Sequence, residues 1–140
     1  HWGLAHTRDR ITADDLDPAL MMWTMRQRTD LEALPDHRVV IRFEFSGVPA
    51  NRTRLRIMWL VLARSGVDVC AKDPGFPVDI TVRGDIAVFV AIFLGQTTWD
   101  EVTGKAVSIE GNERMAQRIP EWIQLRKVPR PQPPSALPAA

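Results

Sequence analysis

Cys70, His37 and Asp68 are the side chains that could together build a nucleophilic site: a thiol, a base to take its proton and a carboxylate to orient the base. Their setting argues against it. Cys70 falls in a run of alternating apolar residues, where a cysteine behaves as a small inert hydrophobe, and nothing in the spacing puts a base beside it. His1, His6 and His37 lack metal-ligand spacing, and no Cys or His cluster supplies four ligands. Asp14, Asp15 and Asp17 stand near a helix start, where carboxylates cap free amides and meet the positive end of the helix dipole. Asp68, Asp79 and Asp85 read as strand-edge and capping residues. Gly66, Gly75 and Gly84 sit singly at turns, so there is no phosphate-cradling loop. No catalytic residue, metal site or cofactor is expected, and the chain reads as a binding module rather than an enzyme.

What the sequence does offer is an apolar interior, centred on Pro77 to Gly111. Val78, Ile80 and Val82 alternate with Asp79, Thr81 and Arg83, the period of a half-buried strand. Asp85 can then accept from the amides that open a helix over Ile86 to Leu94, nine residues without a charged or polar side chain. Ile86, Phe89, Val90 and Phe93 share one face, and Val88, Ile92 and Leu94 make the other apolar as well. Such a helix needs cover on both sides, and it is far too short to cross a bilayer. Gly95 suits the left-handed residue that ends it. Thr98 to Glu101 has the spacing of a capping box opening a short helix closed by Gly104, and Val107 and Ile109 resume a strand that ends at Gly111.

The remaining composition narrows the class. The chain has 140 residues, 45% of them hydrophobic and 25% charged, which suits one globular domain with one core. A net charge of +1 without a run of Lys or Arg argues against direct nucleic-acid binding. A single cysteine excludes an internal disulfide framework and fits a reducing, cytoplasmic setting. The chain starts at His1 without a methionine, which fits a processed chain or a piece of a longer one.

In chain order, residues 1–16 read as a residual linker or helix from an upstream domain. Asp17-Pro18 is a helix start. In the helix that follows, Leu16, Leu20 and Trp23 gather on one side while Met21 and Met25 lie nearly opposite, so this helix too is expected to be covered twice. Methionine adapts to irregular surfaces, so the stretch is either a deformable pocket wall or ordinary core. A short turn over Asp30 to Leu34 precedes a strand over Arg38 to Phe45, then a loop over Ser46 to Asn51. A longer strand over Arg54 to Arg64 turns at Ser65-Gly66 into a hairpin partner around Val67 and Val69. Its Leu55, Ile57, Trp59 and Val61 share one face, and Met58, Leu60 and Leu62 the other. Asp73-Pro74-Gly75 is a turn. After Gly111, Asn112 caps a last helix with Met115, Ile119, Trp122 and Ile123 in one stripe, and Pro120 predicts a kink or a restart. Residues 126–140 read as a disordered, Pro-rich tail. The order gives an α+β domain whose five-stranded mixed or antiparallel sheet is covered by helices.

The string Val78-Asp79-Ile80-Thr81-Val82, followed by Asp85, Leu94-Gly95, Gly104 and Ser108-Ile109-Glu110-Gly111, resembles the lipid-binding domain of sterol carrier protein type 2. With Arg38-Val39-Val40, Phe43, Phe45, Trp59-Leu60-Val61, Val67-Asp68-Val69-Cys70 and Asp73-Pro74-Gly75, the chain is closer still to the version fused behind winged-helix transcriptional regulators of the HxlR type. The likeness spans about residues 17–125. It departs at Phe93, where the family pattern has Trp, and at the Leu137-Pro138-Ala139-Ala140 end, which is not a peroxisomal address. The resemblance implies an apolar cavity for a fatty-acyl or sterol-like ligand and an upstream DNA-binding domain as partner. From the covered helices and the sheet face beneath them, the lining is expected to comprise Met22, Met25, Phe43, Trp59, Phe89, Phe93 and Trp99, with Trp122 on a final helix that is either a lid or a fixed closure. The competing expectation is a dimerisation or scaffold domain, such as a homodimer unit, whose cavity is filled by side chains.

Overall fold

A computed structural model describes residues 15–125. The upstream linker and the Pro-rich tail expected from the sequence lie outside these residues, apart from the last two positions of the linker. Helix α1 (Pro18–Gln27) opens as its sequence dictates, with the Asp17 carboxylate accepting from the Ala19 amide and Pro18 in the first turn. A 3-10 turn over Leu31–Ala33 leads into strand β1 (Val39–Ser46). A second 3-10 segment, Ala50–Leu55, precedes β2 (Ile57–Ala63), which turns tightly into β3 (Gly66–Cys70). Then come β4 (Ile80–Asp85), α2 (Ile86–Phe93), α3 (Trp99–Val102) and β5 (Val107–Gly111). The described chain closes with α4 (Glu113–Ala116) and α5 (Ile119–Ile123).

The strands form one five-stranded mixed sheet in the order β3-β2-β1-β4-β5. β1 runs parallel to β4, and the other neighbouring pairs are antiparallel. This α+β architecture is the one expected. The register sorts the side chains. Phe43 stands opposite Met58 and Val82, and Ile41 opposite Leu60 and Ile80, so these share one face. That face carries the core, packed under Met21, Met22 and Met25 of α1 and Ile86, Phe89 and Val90 of α2. The opposite face carries the row Cys70, Trp59, Arg42, Thr81 and Glu110. There Arg83 joins Glu44 at 2.9 Å and Glu110 at 2.6 Å, an exposed ion ladder that water screens heavily.

Where β1, β4 and α2 meet, three rings lock together. Phe43 and Phe45 stack with centroids 5.9 Å apart, and Phe89 sets its edge against Phe45 at 5.2 Å and against Phe43 at 6.2 Å. A Cβ at Gly84 would come within 3.0 Å of the Phe89 ring, so the bare glycine leaves the ring its seat. Each buried ring contributes on the order of 1.5–3 kcal/mol by burial, and edge-to-face geometry adds about 0.5–1.5 kcal/mol per pair.

Several local expectations are corrected. Leu20 and Trp23 are 50% and 47% exposed, so α1 is covered on its methionine side alone. The Arg26 guanidinium lies over the Trp23 ring at 5.0 Å while its Nε donates to the Val67 carbonyl, so a cation rather than core shields this indole. β2 begins at Ile57, not Arg54, because the polar run Asn51 to Arg54 closes 3-10 turns first. β4 begins at Ile80, leaving Val78 exposed. The restart expected at Pro120 is present: the last stretch is two helices, with Pro120 in the first turn of α5, the place where its missing amide costs nothing.

Asp85 ends β4 and caps α2 through the Ala87 amide at 2.9 Å. Its carboxylate also lies where a Cβ on Gly47 would go, and Gly47 has φ +70°. Asp85→Ala should therefore cost about 1 kcal/mol in urea unfolding. Gly47→Ala should cost more, through both backbone strain and the clash. Because the first change removes the clash, the double variant should lose less than the sum of the two singles. Strict additivity would show that the two sites do not touch.

Candidate ligand-binding site

The interior beneath the helices is built from large, soft side chains. Met22, Met25, Phe43 and Phe89 are fully buried, Trp99 and Trp122 nearly so. The capping box holds Trp99 at the first position of α3: the Thr98 hydroxyl accepts from the Glu101 amide and the Glu101 carboxylate from the Thr98 amide. Phe93, expected in the same group, is half-buried at the end of α2, with the Arg28 guanidinium over its ring at 5.0 Å. Trp59 is elsewhere. It pairs with Arg42 and Cys70 on the opposite face of the sheet, so the lining expected from the sequence loses this residue. β2 is apolar on both faces, and only pairing with β1 reveals which of its residues point to the helices.

α2 is the element with the strongest demand for cover. Ile86, Phe89, Val90 and Ile92 are buried, whereas Ala87, Val88, Ala91, Phe93 and Leu94 are half-buried, and no position of the stretch is fully exposed. The side of this all-apolar helix that carries Ile86, Phe89 and Val90 is sealed, while the other, with Ile92 buried but Ala87, Val88, Ala91 and Leu94 half-buried, is covered only in part. Gly95 (φ +79°) turns the chain away at its end, as its position suggested.

At the same end of the domain, α5 is tied to the exit of α1. The Asp30 amide donates to the Trp122 carbonyl at 2.7 Å, and Arg28 donates to the Gln124 carbonyl at 2.8 Å. Gln124 closes α5 in the left-handed region at φ 60°, a conformation few side chains favour. The Trp122 ring is 2% exposed, and its Nε1–H is buried without a hydrogen-bond acceptor. No signal in the sequence marks that orphaned donor, since its state depends on how residues distant in the chain pack around it. Among the described residues no group of three His, Cys, Asp or Glu side chains could hold a metal ion, and no helix is long and apolar enough to cross a membrane.

No family model and no curated protein matches the chain. Among solved structures it is similar to a stereoselective inverting sec-alkylsulfatase from Pseudomonas sp., at 15% identity over 77% of this chain with a TM-score of 0.50. A double mutant of a sec-alkyl sulfatase gives 13% identity over 71% and a TM-score of 0.51. This chain spans about 15–16% of those enzymes' length, so the likeness is one of fold. Two weaker likenesses are a UbiJ-SCP2 ubiquinone synthesis protein (TM-score 0.46, 18% identity, 76% of this chain and 86% of that one) and apo sterol carrier protein 2 from Yarrowia lipolytica (TM-score 0.42, 12% identity, 76% and 75%).

Cys70 has the surroundings of a resting thiol. Burial pushes its ionisation up, and the Asp68 carboxylate adds to the push, because both penalise a thiolate. His37 hydrogen-bonds the neighbouring Arg38 carbonyl. A folded-state value above that of the unfolded chain keeps Cys70 protonated to higher pH than in the unfolded chain. Its alkylation by iodoacetamide near pH 8 should therefore be slower in the folded protein than in urea. The difference should narrow as pH rises past the folded value. Faster alkylation of the folded form at neutral pH would mean an activated nucleophile.

Proposed function

We propose that this domain binds an apolar ligand of the fatty-acyl or sterol-like class, held against α2 and the interior beneath α1 and α5. One observation carries the reading: α2 has no polar side chain, yet on its second side only Ile92 is buried, and Ala87, Val88, Ala91 and Leu94 are half-covered. An alkyl chain or a sterol skeleton laid along Val88, Ala91 and Leu94 completes that cover at no polar cost, and burial of apolar area drives it. The methionines at 21, 22, 25 and 58 supply walls that adapt to the guest's outline. The motif resemblance to sterol-carrier-type domains behind winged-helix regulators supports the wider role: a cytoplasmic ligand sensor for an attached DNA-binding domain. In that role α5, restarted at Pro120 and tied to Asp30 and Arg28, is the fixed closure of one end of the interior.

A second reading has its own support. The complete burial of Met22, Met25, Phe43 and Phe89 also suits a filled core that serves as a scaffold or dimerisation unit.

Uptake of a fluorescent fatty acid separates the two. Phe89 is locked between Phe43 and Phe45, so a charge there would test folding rather than binding; Val88, half-buried on the far side of α2, is the better probe. Val88→Asp should retain the fold by circular dichroism and weaken uptake by about tenfold or more, since the guest would have to bury a carboxylate. Leu20→Asp, on the exposed side of α1, should leave uptake unchanged. Equal uptake by wild type and Val88→Asp would remove α2 from the site, and no uptake by wild type would favour the filled core.

A further inference from the structure

The orphaned indole of Trp122 specifies the other end of the guest. Resting on the apolar-ligand reading above, we propose that Trp122 Nε1–H is an interior anchor that donates a hydrogen bond to the acceptor head of an otherwise apolar ligand, a carboxylate or a hydroxyl. A buried N–H without an acceptor is unusual, because water would satisfy it in the unfolded chain. Trp122 is held firmly all the same. Its carbonyl is fixed by the Asp30 amide, Pro120 presets the turn that carries it, and Ile119 and Ile123 beside it are fully buried. The donor thus sits on a short helix tethered at a defined place rather than on a loop free to find another partner.

The end of the domain that carries it suits an acceptor rather than a donor. Arg28 bridges from the Phe93 ring at 5.0 Å to the Gln124 carbonyl at 2.8 Å, setting a guanidinium between the end of α2 and the end of α5. In the proposed pose a ligand lying along α2 carries its head to this end of the domain, where the Arg28 cation and the Trp122 donor each favour oxygen, and an anionic oxygen above all. Trp23 has no comparable role, since its ring is half exposed under Arg26. Trp59 also has a buried Nε1–H without an acceptor, but on the opposite face of the sheet from the helices.

Proton–nitrogen spectra of uniformly labelled protein read the indole donors directly, and loss of one resonance in Trp122→Phe assigns Trp122. Saturation with dodecanoate should move the Trp122 indole proton downfield and slow its exchange with solvent. Trp122→Phe, folded by the same spectra, should bind dodecanoate about tenfold more weakly, the size of one hydrogen bond to a buried donor. Dodecanol in place of dodecanoate should produce a smaller downfield shift, because a neutral oxygen is the weaker acceptor. If dodecanoate binds while the Trp122 resonance stays in place and Trp122→Phe binds equally well, the anchor is refuted and the apolar site stands. A Trp122 proton already bonded to a trapped water, and still so after dodecanoate binds, also refutes it. Failure of dodecanoate to bind at all overturns the anchor together with the reading on which it rests.

Discussion

The edge of the Phe89 ring, set against Phe43 and Phe45 over the bare backbone of Gly84, is the contact on which the rest of the domain hangs. β1 and β4 are parallel neighbours separated by the whole β2–β3 hairpin, so their pairing closes a long loop before local contacts reward it. The ring cluster joins those two strands to the helix that leaves β4. Replacing any of the three rings by a small residue opens a cavity in the middle of this junction, a lesion on the order of 3–5 kcal/mol. Asp85 ties the same junction from the polar side by ending β4 and opening α2 with one carboxylate.

Fixing α2 this way has a consequence for its other side. The cluster engages Phe89, with Ile86 and Val90 beside it, and the remaining positions cannot turn to the sheet without withdrawing these. A sequence selected only for that junction would place polar residues on the outer side, as amphipathic surface helices do. Here Ala87, Val88, Ala91 and Leu94 stand there instead, half-buried. α1 shows the contrast. Its outward Leu20 and Trp23 are exposed but lie among Thr24, Arg26 and Gln27, and Arg26 spans the indole. Apolar surface that is single and screened by a cation needs no further explanation, whereas an uninterrupted apolar helix does.

Much of this was legible in the residues themselves. The caps at Asp17, Asp85, Thr98 with Glu101, and Asn112 each close the hydrogen bonds their chemistry implies, because capping is decided within a few residues. The alternation of Val39, Ile41, Phe43 and Phe45 against Val40, Arg42 and Glu44 identifies the core face of β1 for the same reason, although Val40 is buried as well. Other features depend on distant partners. β2 offers apolar residues to both sides, so the face of Trp59 is settled only when Arg42 is found opposite it and Met58 opposite Phe43. The exposure of Leu20 and Trp23 depends on what lies beyond α1, which no periodicity encodes. The unpaired donor of Trp122 is further still from the sequence, being a property of the packed end where α1, α2 and α5 converge.

Entry of an apolar guest into this interior is the event on which the proposed function depends. Native mass spectrometry of the protein, before and after incubation with an equimolar mixture of saturated fatty acids, tests it most directly. The expected result is one adduct per chain, with the mass of a single acyl ligand, retained under gentle conditions and lost when the fold is disrupted by acid. A spectrum that shows only the bare chain after saturation, with the protein folded, would contradict it and leave a domain whose core is complete without a ligand.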